Sequence, residues 1–177
     1  MNIAKKFYLL HETNFHMNHL KKAYDFCNDG KYDEALQQFD LVLKGDPKNI
    51  MVLIDKGVTL QNLGNIKKSI SLYNKALELD PKNLDALLNK GSALHTLAKY
   101  DQAIKCYDQA LNQDKNRAMV LAYKGLSLGE LGKIKDALKL FKKALEIDHD
   151  YDLAQISSDK AFEILKSKRK SRLFKTA

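Results

Sequence analysis

The sequence predicts an all-α protein, a solenoid of helix–turn–helix repeats, because one amphipathic pattern returns at a fixed spacing of 34 residues. A glycine, an aromatic residue and an alanine stay in step with this spacing. They are Gly57, Gly91 and Gly125, then Tyr73, Tyr107 and Phe141, then Ala76, Ala110 and Ala144. One helical pair cannot bury its apolar face alone, so neighbouring pairs must stack on each other.

The period divides most of the chain into four repeats, which cover 16–49, 50–83, 84–117 and 118–151. Apolar residues at helical spacing predict two helices in each repeat. The expected pairs are 16–29 and 33–45, 50–63 and 67–79, 84–97 and 101–113, and 118–131 and 135–147.

A turn is predicted between the two helices of each repeat, at Gly30, Gly64, Ala98 and Gly132. Proline ends the second helix in the first two repeats only, at Pro47 and Pro81. The two missing prolines weaken the stop signal, but they leave the period unchanged.

Three segments flank the repeats: an N-terminal helical extension (1–15), a capping helix (152–166) and a basic tail (167–177). The extension is either the second helix of a lost repeat or a leader without a role. In the capping helix, Asp159 stands where three of the four repeats have a glycine and the first has Ala23. This position must be small only when a second helix crosses it, so Asp159 fits a solubilising cap.

Small residues are expected to let the two helices of a repeat approach closely. The predicted facing pairs are Ala23 and Ala35, Gly57 and Ser69, Gly91 and Ala103, and Gly125 and Ala137. A bulky side chain at such a site would overpack the repeat, at a cost of about 1–3 kcal/mol.

The net charge of +8 is concentrated at the C-terminus, where residues 166–177 contain six basic residues and no acid. The rest of the chain holds 24 basic and 22 acidic residues. One interpretation is that the tail binds nucleic acid or an anionic surface, or acts as a nuclear address. The other is a solvated extension of the capping helix.

Cys27 and Cys106 form no paired motif, so we expect unpaired side chains in a reducing compartment. No apolar run approaches the ~18 residues of a membrane span, and residues 1–15 lack a small-residue cleavage site. These features predict a cytoplasmic protein.

No nucleophile–base set, glycine-rich phosphate loop or paired catalytic carboxylate is present, so we expect no enzyme and no cofactor. His11, His16 and His19 fall close together. A metal site needs further ligands at a defined spacing, and none is found, so we expect no metal.

The glycine, aromatic and alanine positions resemble those of the tetratricopeptide repeat (TPR) across residues 16–166, about 85% of the chain. The chain departs from the family in having no tryptophan and in lacking two of the four prolines. The resemblance implies a right-handed superhelix whose first helices line a concave groove. It also implies binding of a protein or peptide rather than catalysis.

In this family the groove is lined by positions 2, 5, 6, 9, 12 and 13 of each first helix. The resemblance therefore implies a groove formed by Met17, Leu20, Tyr24, Met51, Ile54, Asp55, Val58, Asn62, Asp85, Leu88, Asn89, Ser92, His95, Met119, Ala122, Tyr123 and Leu126. The remaining positions hold Lys21, Cys27, Asn28, Gln61, Thr96, Gly129 and Glu130.

This mostly apolar, methionine-containing lining favours an amphipathic helix or an extended apolar segment as the ligand. Alternatively, some of these residues pack between repeats, or are covered by residues 1–15 or by a second copy of the chain.

One subclass of the family grips the C-terminal carboxylate of chaperones with a set of lysine, asparagine and arginine residues. The matching positions hold Leu20, Tyr24, Asp55, Asp85 and Asn89 in one frame. In the frame shifted by one repeat they hold Ile54, Val58, Asn89, Met119 and Tyr123. Neither frame supplies the cations, so we predict that the protein does not clamp chaperone tails.

The sequence thus favours a non-catalytic interaction scaffold that holds a partner protein or peptide in its groove. The alternative is an accessory nucleic-acid or ribonucleoprotein factor that docks through the basic tail. Self-association through the groove or the N-terminal helix stays open.

Overall fold

A computed structural model describes residues 3–175, with side chains described from 14 to 168. This part of the chain contains nine α-helices and no strand. They are α1 (Ile3–Asn28), α2 (Tyr32–Gly45), α3 (Ile50–Asn62), α4 (Ile66–Leu79), α5 (Leu84–Thr96), α6 (Tyr100–Gln113), α7 (Ala118–Glu130), α8 (Ile134–Ile147) and α9 (Asp152–Lys175). The predicted class, an all-α solenoid of helix–turn–helix repeats, is confirmed.

The helix ends within the four repeats lie within one residue of those predicted, except at the start of α1. There, residues 3–15 continue the first helix instead of forming a separate helix that packs on it. Similarly, α9 runs beyond residue 166 to Lys175. Neither helix contains glycine or proline, so no residue in it interrupts the helix. The predicted apolar stripe of the extension and the side chains of 169–177 lie outside the described residues.

The chain forms two compact units, Met1–Pro81 and Lys82–Ala177, called here the first and second unit. In the first unit, α1 packs on α2, α2 on α3 and α3 on α4. In the second unit, α5 to α9 pack in the same consecutive way, and α7 also contacts α5 and α9. Sequential packing of this kind is characteristic of repeat proteins.

The turns inside the repeats adopt left-handed backbone conformations at the predicted positions. The φ angles there are 72° at Gly30, 76° at Gly64, 56° at Ala98 and 74° at Gly132. Glycine adopts this conformation without strain, whereas alanine does not. Ala98 is therefore the strained member of the set.

The glycines of the first helices allow close approach of an aromatic ring. A Cβ atom built on Gly57, Gly91 or Gly125 would lie less than 3 Å from ring atoms of Tyr73, Tyr107 or Phe141, respectively. The sequence led us to expect Ser69, Ala103 and Ala137 opposite these glycines. The ring of the residue 16 positions later reaches the glycine because its side chain spans the gap between the two helices.

Asparagine side chains cap the first helices of two repeats. The Asn49 side chain accepts a hydrogen bond from the backbone N–H of Val52 at 3.2 Å, and Asn83 does the same for Ala86 at 3.0 Å. This arrangement satisfies an otherwise unpaired backbone donor. At the start of α7 the equivalent residue is Arg117, which makes no cap and instead pairs with Asp114.

Small, branched and aromatic residues fill the core of each unit. The core of the first unit contains Ala23, Ala35, Phe39, Val42 and Val52. That of the second unit contains Leu121, Ala122, Ala137, Phe141, Ala144, Ala154 and Ala161. Both cysteines are free; Cys106 is buried and Cys27 is half-buried. These cores hold the first helices in place, and the candidate site lies on those helices.

Candidate functional site

The three internal methionines occupy the same repeat position, the second residue of a first helix or its equivalent in α1. All are exposed: Met17 by 69%, Met51 by 53% and Met119 by 48%. Large apolar side chains with this exposure are not required by the cores described above. They are consistent with the predicted surface on the first helices.

The other predicted groove residues differ in exposure. Asn62 and Asp85 are exposed, whereas Ile54 (7%) and Ala122 (0%) are buried. The half-buried members are Leu20, Asp55, Val58, Leu88, Asn89, Ser92, His95, Tyr123 and Leu126. Ile54 and Ala122 are therefore part of the packing around the first helices.

Two predicted groove residues in the first unit are joined by a hydrogen bond between successive first helices. The Tyr24 hydroxyl donates to Asp55 Oδ2 at 2.7 Å, and the Tyr24 ring packs edge-on against Phe39. Burial, followed by this hydrogen bond and the charge of Asp55, raises the pKa of the Tyr24 hydroxyl. The contact fixes the position of an aromatic side chain that is still 39% exposed.

A second kind of contact also joins successive first helices, between residues 32 positions apart. Cys27 Sγ lies 3.5 Å from Thr59 Oγ1 in the first unit, and His95 Nδ1 lies 2.9 Å from Ser127 Oγ in the second. His95 also packs against the ring of Tyr100. The sequence placed Cys27 and His95 in the groove but did not reveal these bridges. The bridges could have been predicted from polar residues that occur at position 12 of one repeat and at position 10 of the next.

The aromatic residue of the second helix also contributes a polar group in two repeats. The Tyr73 hydroxyl donates to Gln61 Oε1 at 3.1 Å. The equivalent Tyr107 hydroxyl is buried and has no hydrogen-bond partner, although its ring stacks on Tyr123 with centroids 6.3 Å apart. Burial is the main cause of the raised pKa of both tyrosines.

Partly buried lysines connect a second helix to the next first helix. Lys56 pairs with Asp40, and Lys124 Nζ lies 2.5 Å from Asp108 Oδ1. The lysine side chains are only 17% and 22% exposed. These pairs, at a spacing of 16 residues, stabilise the stacking of repeats within each unit rather than supply a cationic binding site.

The described residues contain no group of three or more His, Cys, Asp or Glu side chains arranged to hold a metal ion. Of the three clustered histidines, His19 Nδ1 lies 2.7 Å from Gln38 Oε1. The His11 side chain lies outside the described residues. No described helix is long and apolar enough to cross a membrane.

Two family models match the chain. The model of the N-terminal TPR repeats region of Psidin matches residues 18–122, and the tetratricopeptide repeat model matches residues 97–152. The first match covers more than half of the chain. The chain belongs to the tetratricopeptide-repeat family.

Solved TPR structures share this fold. A crystal structure of MamA protein has a TM-score of 0.73 at 23% identity, covering 85% of this chain and 82% of that one. A tetratricopeptide repeat protein from Parabacteroides merdae has a TM-score of 0.71 at 22% identity, covering 88% and 67%. The first TPR of Spaghetti (RPAP3), bound to the HSP90 peptide SRMEEVD, has a TM-score of 0.64 at 24% identity, covering 66% and 93%. No curated protein matches the chain in sequence.

The TPR fold is in general a non-catalytic fold for protein interaction, which supports an interaction scaffold as the role of this TPR protein. The described first helices carry exposed methionines and an ordered tyrosine, and two of their lysines, Lys56 and Lys124, are paired with acids of second helices.

Proposed function

We propose that this TPR protein binds a peptide or helix of a partner protein on the first helices of its repeats and carries out no catalysis. One observation carries the proposal: the three internal methionines recur at one repeat position and are 48–69% exposed. Methionine is flexible and polarizable, so exposed methionines can adapt to apolar partners of different shape.

The neighbouring residues support the same proposal. Tyr24 is held by Asp55, and Leu88 is half-buried in the second unit. An aromatic side chain that is already ordered loses little entropy when a ligand contacts it. The apolar area that the ligand covers would contribute roughly 25 cal/mol per Å² before the costs of ordering.

The test is capture of partner proteins from a cell lysate by the wild-type chain and by a Tyr24→Ala, Met51→Ala, Leu88→Ala variant, followed by mass spectrometry. We expect the variant to lose partners that the wild type retains. Leu41→Ala is the matched control, because Leu41 is 38% exposed but lies on a second helix. Equal capture by the wild type and the triple variant would show that the proposal is wrong.

We also predict that the surface does not bind a chaperone tail by its carboxylate. Tyr24 and Asp55 bond to each other, and Asp85 is exposed and acidic, so these positions offer no cation. Calorimetry with the peptide SRMEEVD should detect no binding in the micromolar range, about 8 kcal/mol of binding free energy. The RPAP3 domain is the positive control; micromolar binding by this protein would contradict the prediction.

The nucleic-acid alternative depends on residues 166–177, and the side chains of 169–177 lie outside the described residues. Neither the described contacts nor the TPR relatives support this alternative or self-association. Binding of an oligonucleotide that falls steeply with salt and disappears on deletion of 167–177 would favour the alternative.

A further inference from the structure

In each of the first three repeats, a polar side chain at position 12 takes part in a hydrogen bond at the end of the first helix. Cys27 reaches Thr59, His95 reaches Ser127, and Gln61 accepts from Tyr73. These side chains occupy the space between a first helix and the elements packed beside it.

The fourth repeat has Gly129 at this position, and the space is left unfilled. A Cβ atom built on Gly129 meets nothing within 4 Å, unlike one on Gly125, which meets Phe141. Gly129 therefore creates an opening on α7 that the glycine four residues earlier does not.

The two polar partners of the earlier repeats are also replaced by apolar residues here. Phe141 occupies the repeat position at which Tyr73 and Tyr107 carry a hydroxyl group. Ala161 occupies the position at which the hydroxyl groups of Thr59 and Ser127 form hydrogen bonds. Both Phe141 and Ala161 line a pocket of about 260 Å³ between α7, α8 and α9, the Gly129 pocket. Its other apolar walls are Leu126, Ile134, Ala137, Ile156 and Ile164. Its polar lining consists of Glu130, Ser157 and Lys160, whose two charges are opposite.

A basic hollow of about 620 Å³ adjoins the Gly129 pocket, since Ile134 lines both. The hollow carries Lys133, Lys135 and Lys168 and one acid, Asp136. Among the residues whose side chains are described, 82–168 contain fifteen basic and twelve acidic residues, whereas 14–81 contain nine of each. The surroundings of the pocket therefore attract negative charge.

We propose that the Gly129 pocket binds one large apolar side chain, of the size of phenylalanine, presented by an acidic segment of a partner protein. This inference rests on the proposed function and adds an anchor site in the second unit. An apolar cavity of about 150 Å³ is known to bind benzene, so the Gly129 pocket has room for a phenyl ring. The lysines of the adjoining hollow select the acidic flank of the segment.

The probe is a pair of short, acidic, helix-forming peptides, acetylated and amidated at their ends, that differ only in a central phenylalanine or alanine. The full chain, labelled with ¹³C on its alanine and isoleucine methyl groups, is titrated with each peptide by NMR. We expect the phenylalanine peptide alone to shift the methyl signals of Ala161, Ile156 and Ile164. A peptide with lysine in place of each glutamate should bind at least about tenfold more weakly.

Gly129→Gln is the blocking variant, because it restores the side chain that Gln61 supplies at the same repeat position. Glutamine is also a better helix former than glycine, so the variant should keep its fold. We expect it to weaken binding of the phenylalanine peptide by about tenfold or more. Asn112→Gln, on an exposed site of α6, is the matched control and should bind like the wild type.

Three outcomes would overturn the inference: no shift of the pocket methyl groups at about 1 mM phenylalanine peptide, equal binding by Gly129→Gln, or equal binding of the basic peptide. Light scattering tests for a fourth outcome that would overturn the inference. If the wild type self-associates and Gly129→Gln does not, the Gly129 pocket binds a second copy of the chain instead of a partner protein. The lysate capture with the Tyr24→Ala, Met51→Ala, Leu88→Ala variant is run in parallel. If that variant loses partners while the pocket tests fail, the proposed function stands without the anchor site.

Discussion

Two tyrosines at the same repeat position make opposite contributions to stability, because only one has a hydrogen-bond partner. Tyr73 donates to Gln61, whereas the buried Tyr107 hydroxyl is unpaired. We predict that Tyr73→Phe lowers the free energy of unfolding by about 1 kcal/mol, and that Tyr107→Phe raises it by about 1 kcal/mol. Phe141 shows that phenylalanine fits this position.

Urea denaturation followed by circular dichroism checks this pair, and each variant serves as the control for the other. Because repeat proteins can unfold in steps, the transition midpoint and slope should be compared together. A loss of stability in Tyr107→Phe would mean that its hydroxyl has a partner in solution.

Ala98 is the one non-glycine residue of the described chain at positive φ, at 56°. We predict that Ala98→Gly stabilises the protein by about 0.5 kcal/mol, because relief of left-handed strain exceeds the added entropy of the unfolded chain. Gly64→Ala is the reciprocal variant, since Gly64 has φ 76° and its Cβ would meet nothing within 4 Å. The midpoint temperature of thermal unfolding should be higher for Ala98→Gly than for the wild type and lower for Gly64→Ala. Equal midpoints would show that the turn carries no strain.

At the scale of a single helix, α7 contains two glycines with different surroundings. We predict that Gly125→Ala destabilises the protein by about 1–3 kcal/mol, because the added methyl group would meet the Phe141 ring. Gly129→Ala should instead stabilise it by up to about 1 kcal/mol, because the site is open and alanine favours the helix.

Chemical denaturation of the two variants beside the wild type measures this difference. Since both changes are glycine to alanine in one helix, the contrast isolates the contact with Phe141. Similar destabilisation by both variants would show that contact with the Phe141 ring does not distinguish Gly125 from Gly129.

The helix ends and turns of the repeats are features that the sequence predicts well. Helix ends and turns in the repeats were predicted to within one residue, because Gly30, Gly64 and Gly132 mark turns in the chain itself. The unbroken course of α1 through residues 3–28 was not predicted. The 34-residue period indicates where a repeat starts. It does not indicate whether the residues before that point belong to the same helix.

At the scale of the whole molecule, tyrosine ionisation should limit stability in alkali. Burial is the main cause of the raised pKa of Tyr24, Tyr73 and Tyr107, so these hydroxyls stay protonated in the folded chain above their usual pKa of about 10. The unfolded chain then loses protons that the folded chain keeps. We predict that this stabilisation is complete below about pH 10 and is lost as the pH rises further.

Denaturation midpoints between about pH 8 and pH 12, with tyrosinate absorbance recorded in parallel, check this dependence. The variant Tyr107→Phe should show a shallower fall, because one of the shifted groups has been removed. A midpoint that stays constant to the highest pH would contradict the raised pKa values.

The sequence by itself determined the repeat architecture of this TPR protein. Three signals predict it: apolar residues at helical spacing, turn residues and the 34-residue period. Each depends only on the spacing of residues within one repeat or on equal positions in successive repeats, so it can be recognised from the sequence. The family and the interaction role follow from the same pattern.

Only the tertiary structure decided which of those positions are exposed and which contacts they make. It buried Ile54 and Ala122, joined Tyr24 to Asp55, left the Tyr107 hydroxyl unpaired and opened a pocket at Gly129. The physical reason is that these features depend on side chains from different helices meeting at distances of a few ångströms. Local spacing does not encode how closely two neighbouring helices pack.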